Sequence, residues 1–191
     1  MRLVRWTAIW VMLLAGLSPS ILAAPSANWP KSLTIATASP GGIYYVYGHD
    51  LAPILSQALG IPVSAQASQG PSQNILLLES GEAPLGFITM GIALQAWNGT
   101  GEWTHGKKLR QMRALFPMYD TPFQFVALPS SGIESLADFA GKRIGVGPQG
   151  GTGGTYAPLV FKTLQIPAML RYGAWKTISE QLRSHLLDGV V

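Results

Sequence analysis

The sequence predicts an α/β fold with a mainly parallel sheet covered by helices on both faces. Short apolar runs alternate with helix-period segments along almost the whole chain after residue 30. The connections between them are short and rich in glycine, serine and asparagine. Hydrophobic residues make up 48% of the chain and charged residues 12%, a balance that builds a buried core rather than a disordered chain.

The elements follow in order. Leu33–Thr37 reads as a strand and Tyr44–Leu59 as a helix. Pro62–Ala67 is strand-like, with Val63, Ala65 and Ala67 on one face. Ser72–Ser80 is a short helix with Ile75, Leu76 and Leu78 apolar, stopped by Gly81. Leu85–Ile88 is a buried strand, and Ile92–Trp97 begins another helix. Asn98–Lys108 is a polar loop, and its Asn98-Gly99-Thr100 sequon is read as a turn. Leu109–Met118 and Phe123–Leu128 are two extended runs, read as strands leading from one lobe to another across Tyr119-Asp120-Thr121-Pro122. Ser135–Ala140 is a short helix ended by Gly141, Arg143–Val146 a strand, Tyr156–Leu164 a helix and Ala168–Tyr172 a strand. Thr177–Leu187 is amphipathic, with Ile178, Leu182, Leu186 and Leu187 apolar. Val190-Val191, after Gly189, opens what reads as another buried strand whose remainder is absent.

The first 24 residues have the layout of an export signal. Arg2 and Arg5 precede an uncharged stretch, Trp6–Ala24, which ends in small residues. An uncleaved membrane anchor is the alternative; Pro19 and the small-residue end favour cleavage. Without Arg2 and Arg5 the formal charge falls from +4 to +2. No basic cluster with interleaved aromatics is present, so nothing points to nucleic acid. There is no cysteine, so an exported chain must hold its fold by core burial alone.

Four turns sit where ligands bind in open α/β sheets, beyond the C-terminal ends of strands. They are Ser39–Tyr45, Ser68–Asn74, Thr89–Ile92 and Gly147–Tyr156, and none contains Asp, Glu, Lys or Arg. Each offers backbone N–H groups at a helix start with no competing carboxylate, which suits an anion. The candidate ligand-binding residues are Ser39, Gly41, Gly42, Tyr44 and Tyr45 from the first turn, with Gln69, Ser72 and Asn74 from the second. Thr89 and Gly91 come from the third, and Gln149, Gly150, Gly151, Thr152 and Thr155 from the fourth. Gly145–Gly150 formally matches G-x-G-x-x-G, but the acid expected about 20 residues on is missing and Pro148 interrupts the loop, so a dinucleotide is not the expected ligand. No catalytic residue, cofactor or metal is expected: His49, His105 and His185 have no metal-ligand spacing, and no nucleophile motif occurs. Trp97, Trp103 and Trp175 read as core or lobe-interface packing.

These motifs resemble a known family. Ala36-Thr37-Ala38-Ser39-Pro40-Gly41-Gly42-Ile43-Tyr44-Tyr45, Gln69-Gly70-Pro71-Ser72-Gln73-Asn74, Ser131-Gly132-Ile133 with Ser135-Leu136-Ala137-Asp138, Gly141-Lys142-Arg143-Ile144 and Gly147-Pro148-Gln149-Gly150-Gly151-Thr152 are similar to the TAXI-family solute-binding subunits of TRAP transporters. The resemblance implies a type II, two-lobed periplasmic-binding fold that closes on a small organic anion, such as an amino acid or dicarboxylate, and delivers it to a membrane permease. It also implies a chain longer than this one, with the second lobe incomplete here and a fragment that expresses poorly and binds weakly. The turn Thr89-Met90-Gly91-Ile92 departs from the family, which usually carries an acid there. The expected organisation is a signal peptide over 1–24, lobe one over 31–117, hinge strands over 118–128 and a partial lobe two over 129–191. A secreted or periplasmic α/β enzyme acting on a small carboxylic acid is the competing reading.

Overall fold

The computed structural model describes residues 28–191, so the expected export segment lies outside the described residues. Two sheets form. The first contains β1 (Leu33–Ala36), β2 (Val63–Gln66) and β3 (Leu85–Gly86) in the order β2-β1-β3, all parallel. Helices α1 (Ile43–Leu59), α2 (Pro71–Ser80) and α3 (Met90–Asn98) connect and cover it. The second sheet contains β4 (Val126–Ala127), β5 (Arg143–Gly145), β6 (Met169–Arg171) and β7 (Gly189–Val190), with α4 (Thr152–Thr163) and α5 (Trp175–Arg183). Its order is β4-β7-β5-β6, and only the β4–β7 pair is antiparallel.

Each sheet has its own core. Ile35, Ala52 and Phe87 anchor the first, with Val63 and Ala65 packed from alternate positions of β2. Phe139, Ile144, Val146, Ala157 and Phe161 anchor the second, where the Phe125, Phe139 and Phe161 rings lie 5.7–6.2 Å apart. Met118 packs into the first core and Phe125 into the second, so the chain crosses between them over residues 119–124.

Several boundaries differ from the sequence reading, for physical reasons. Leu109–Met118 pairs with no strand. Two of its backbone donors are taken elsewhere: the Leu109 N–H donates to the carbonyl of Ala96 in α3, and the Gln111 N–H to Glu79 Oε1. Of the second run only Val126–Ala127 enters a ladder. Ser135–Ala140 is a 3₁₀ turn, Leu136–Phe139, because a reciprocal Ser135–Asp138 capping box closes it tightly. The side-chain and backbone bonds from Ser135 hold the Asp138 carboxyl below its usual range. Helix α4 starts at Thr152 rather than Tyr156, despite Gly153 and Gly154. A side chain at Gly153 would meet the Val146 carbonyl at 2.8 Å, so these glycines let the helix start sit tight on the end of β5. Helix α5 starts at Trp175 and ends before Leu186, which is exposed, whereas Ile178 and Leu187 are buried as their spacing suggested.

Arg143 ties β5 to the segment before β7. Its Nε and Nη2 donate to the two Asp188 carboxylate oxygens at 3.0 and 2.7 Å, and its own N–H donates to the same group. Hydrogen bonding from Arg143 holds the Asp188 pKa at about 2, below its ordinary 3.8. The folded pKa is the lower one, so this contribution to stability is present above pH 4 and is lost as pH falls toward 2. Acid unfolding followed by circular dichroism is expected to show this loss, and Asp188→Asn to remove that part of the pH dependence.

Candidate functional site

The turns that leave β1, β2, β3 and β5 meet in one cleft between the two sheets. The cleft encloses about 280 Å³, near the small end of the roughly 300–1,000 Å³ typical of ligand sites. Parallel strands explain the convergence: every strand that runs the same way delivers its next turn to the same edge. Eight of the expected residues line the cavity: Ser39, Gly41, Gly42, Tyr44, Gln69, Thr89, Gly151 and Thr152.

The electrostatics come from the main chain. Helices α1, α2, α3 and α4 start at Gly42, Gly70, Thr89 and Gly151, all in the cavity wall. None of the four starts has a side-chain cap, and none has an acid in its first turn. No side chain therefore compensates their positive ends, although in α2 the Ser72 N–H is taken by the Gly150 carbonyl. Among the described residues, no Asp, Glu, Lys, Arg or His lines the cavity. Burial, and then the neighbouring Tyr119 hydroxyl, push the Tyr44 pKa up to about 12, so Tyr44 presents a neutral hydroxyl.

The lobes touch directly around this cavity. The Ser72 N–H and Oγ both donate to the Gly150 carbonyl, at 3.2 and 3.0 Å. Helix α5 is capped from the other lobe: the Trp175 N–H donates to Ser39 Oγ at 3.3 Å and the Lys176 N–H to the Pro40 carbonyl at 3.1 Å. Thr89 and Thr152 hydroxyls lie 3.4 Å apart across the gap.

The other seven expected residues sit outside the lining. Ser72 and Gly150 form the contact just described. Asn74 is fully buried: its Nδ2 donates to the carbonyls of Thr37 and Phe87, and its Oδ1 accepts from Ser68 Oγ. It ties the ends of β1 and β3 to the start of α2 and leaves no atom for a ligand. The Tyr45 ring lies 4.1 Å from the His49 ring, one turn along α1. Gly91 abuts the Tyr156 hydroxyl, Gln149 is exposed, and Thr155 Oγ1 donates back to the Gly151 carbonyl.

Sequence reasoning missed several lining residues, chiefly Tyr119, Thr121 and Trp175. Tyr119 and Thr121 flank exposed Asp120, so an extended backbone puts both on one side. That period-two signal was readable but lay in a segment assigned to the hinge. The Trp175 indole lies between Gly42 and Gly147, where added Cβ atoms would come within 3.2 and 2.7 Å of it. It is wall as well as interface.

Residues 35–191 match the model of the NMT1-like family. Among solved structures, the chain is similar to the alkanesulfonate-binding protein SsuA from Xanthomonas axonopodis pv. citri bound to MOPS. The TM-score is 0.53 with 12% identity, over 86% of this chain and 55% of that one. It is also similar to the periplasmic aliphatic sulphonate binding protein SsuA from Escherichia coli (TM-score 0.43, 13% identity, 85% of this chain and 51% of that one). A polar amino acid ABC uptake transporter substrate binding protein from Streptococcus thermophilus matches at TM-score 0.34 and 21% identity, over 84% of this chain and 60% of that one. The fold is that of the type II periplasmic binding proteins. The chain spans little more than half the length of the first of these proteins.

Proposed function

This chain belongs to the NMT1-like family, and from that premise we propose that it is a solute-binding protein that captures a small organic anion in the interlobe cleft and delivers it to a membrane permease. The observation that carries this is the convergence of four helix starts without side-chain caps on one cavity, with no charged side chain among the described residues of its wall. Such a site attracts an anion and holds it through main-chain N–H groups, each charge-assisted bond contributing about 1.5–3 kcal/mol. The motif series of the sequence supports the finer reading, a TAXI-type subunit working with a TRAP permease in the periplasm, exported by residues 1–24. Residues 119–124 act as the hinge, since the chain passes from the first core to the second through them.

The competing enzymatic reading needs a general base or nucleophile beside the ligand. The described lining supplies neutral hydroxyls and an amide, with no carboxylate or imidazole beside the hydroxyls to activate them. Thermal unfolding in the presence of a panel of organic anions tests the proposal. A binding anion is expected to raise the midpoint, by the equivalent of about 2.7 kcal/mol at one hundred times its Kd, and to be recovered unchanged. Consumption of that anion, or no shift with any anion, overturns the reading.

A further inference from the structure

The composition of the cleft wall narrows the ligand further than the presence of an anion site does. We propose that the ligand is a monocarboxylate with an uncharged, largely apolar body, and that the site discriminates against amino acids and dicarboxylates. This rests on the solute-binding reading above and departs from the ligand classes that the sequence motifs implied. None of the nine acidic residues of the chain lines the cavity, and no Lys or Arg among the described residues does. Asp120 falls between Tyr119 and Thr121 without entering the lining, and Asp50 lies in a neighbouring groove that shares Gly41, Gly42 and Ile43 with the cleft. The apolar part of the wall includes Ile43, Tyr44, Pro71, Tyr119, Pro148 and Trp175, and its remaining polar side chains are small, uncharged hydroxyls and one amide.

The two halves of this wall ask for different parts of one molecule. The helix starts hold a single anionic head with donors that are fixed in place before binding. The rings and aliphatic groups hold a body that gains by leaving water. An α-ammonium group brought into the same cavity meets four positive dipole ends and no carboxylate, and it loses its hydration without compensation. A second carboxylate, set apart from the helix starts by the length of the ligand, finds no arginine or lysine among the described residues of the wall to pair with. Selection against both classes follows from what the wall lacks, as well as from what it offers.

The test is isothermal calorimetry on the full chain at pH 7.5 with hexanoate, benzoate, L-glutamate and succinate, each also followed by tryptophan fluorescence in the parent and in Trp175→Phe. Hexanoate or benzoate is expected to bind at least about tenfold more tightly than glutamate or succinate. Its fluorescence signal is expected to be lost or strongly reduced in Trp175→Phe while circular dichroism shows the fold retained. Equal or tighter binding of glutamate or succinate overturns the monocarboxylate assignment and leaves the solute-binding reading standing. A fluorescence change that persists in Trp175→Phe places the binding elsewhere and also overturns the assignment. Failure of all four compounds to bind removes this inference together with the reading it rests on.

Discussion

Replacing Gly70 with alanine is expected to lower anion affinity at least about 30-fold, equivalent to about 2 kcal/mol, while leaving both cores folded. Gly70 starts α2 with φ +119° and ψ −161°, a conformation that L side chains rarely adopt. An added Cβ would also come within 2.9 Å of the Gly150 carbonyl oxygen and the Gly151 Cα, both on the opposite lobe. Main-chain atoms cannot swing aside as a side-chain tip can, so the lobes must part. That would break the paired Ser72 bonds to Gly150 and widen the cleft. Gly132→Ala is the control. Gly132 also has a positive φ, +67°, but open space surrounds it, so the substitution should cost about 1 kcal/mol of stability and no affinity. Calorimetry of both variants separates backbone strain from blocked closure; equal affinities would show that the Gly70 contact does not govern capture.

Asn74→Ala is expected to destabilise lobe one by about 3 kcal/mol, a large share of the roughly 5–15 kcal/mol that holds a typical domain. Three good hydrogen bonds, of 2.6–2.8 Å, disappear at a site with no exposure. The Thr37 and Phe87 carbonyls and the Ser68 hydroxyl are left in a dry interior. Asn74→Asp keeps the shape but loses the two N–H donors, and it turns oxygen toward two carbonyl oxygens, so it should do no better. Urea unfolding followed by circular dichroism provides the measurement. A loss of under 1 kcal/mol would show that water replaces the side chain.

Most of the architecture was legible because the sequence states it twice, once in periodicity and once in punctuation. Leu33–Ala36, Val63–Gln66 and the glycines that close α2 and α3 carry both signals, and those elements formed within a residue or two of expectation. The run Leu109–Met118 carries only one. It is apolar and extended, but whether it joins a ladder depends on which partners are free, and nothing local encodes that Ala96 and Glu79 take its donors. The cleft was legible as a set of turns, since parallel strands bring successive turns to one edge. Which way each side chain points was not. Asn74 lies four residues after Gly70, one helical turn into α2, and its side chain turns to the strand ends while the helix start faces the cavity. Trp175 shows the converse, since its role depends on a lobe contact between residues more than 130 positions apart.

The order of strands in the second sheet has a consequence for how the chain acquires its structure. Strand β7 comes last of the sheet's strands in sequence yet lies between β4 and β5 in space, pairing with both. Until residues 189–190 are available, β4 has no neighbour in that sheet, and one edge of β5 is open. Closure must then bridge some 60 residues between Val126 and Val190, an entropically slow, non-local step. The β5–β6 pair can form as the polypeptide emerges from the ribosome, but the sheet cannot be completed through β4 until its inserted strand arrives. On the export reading proposed above, such a delay would hold the second lobe open, and it would leave bare strand edges for a holding chaperone to shield.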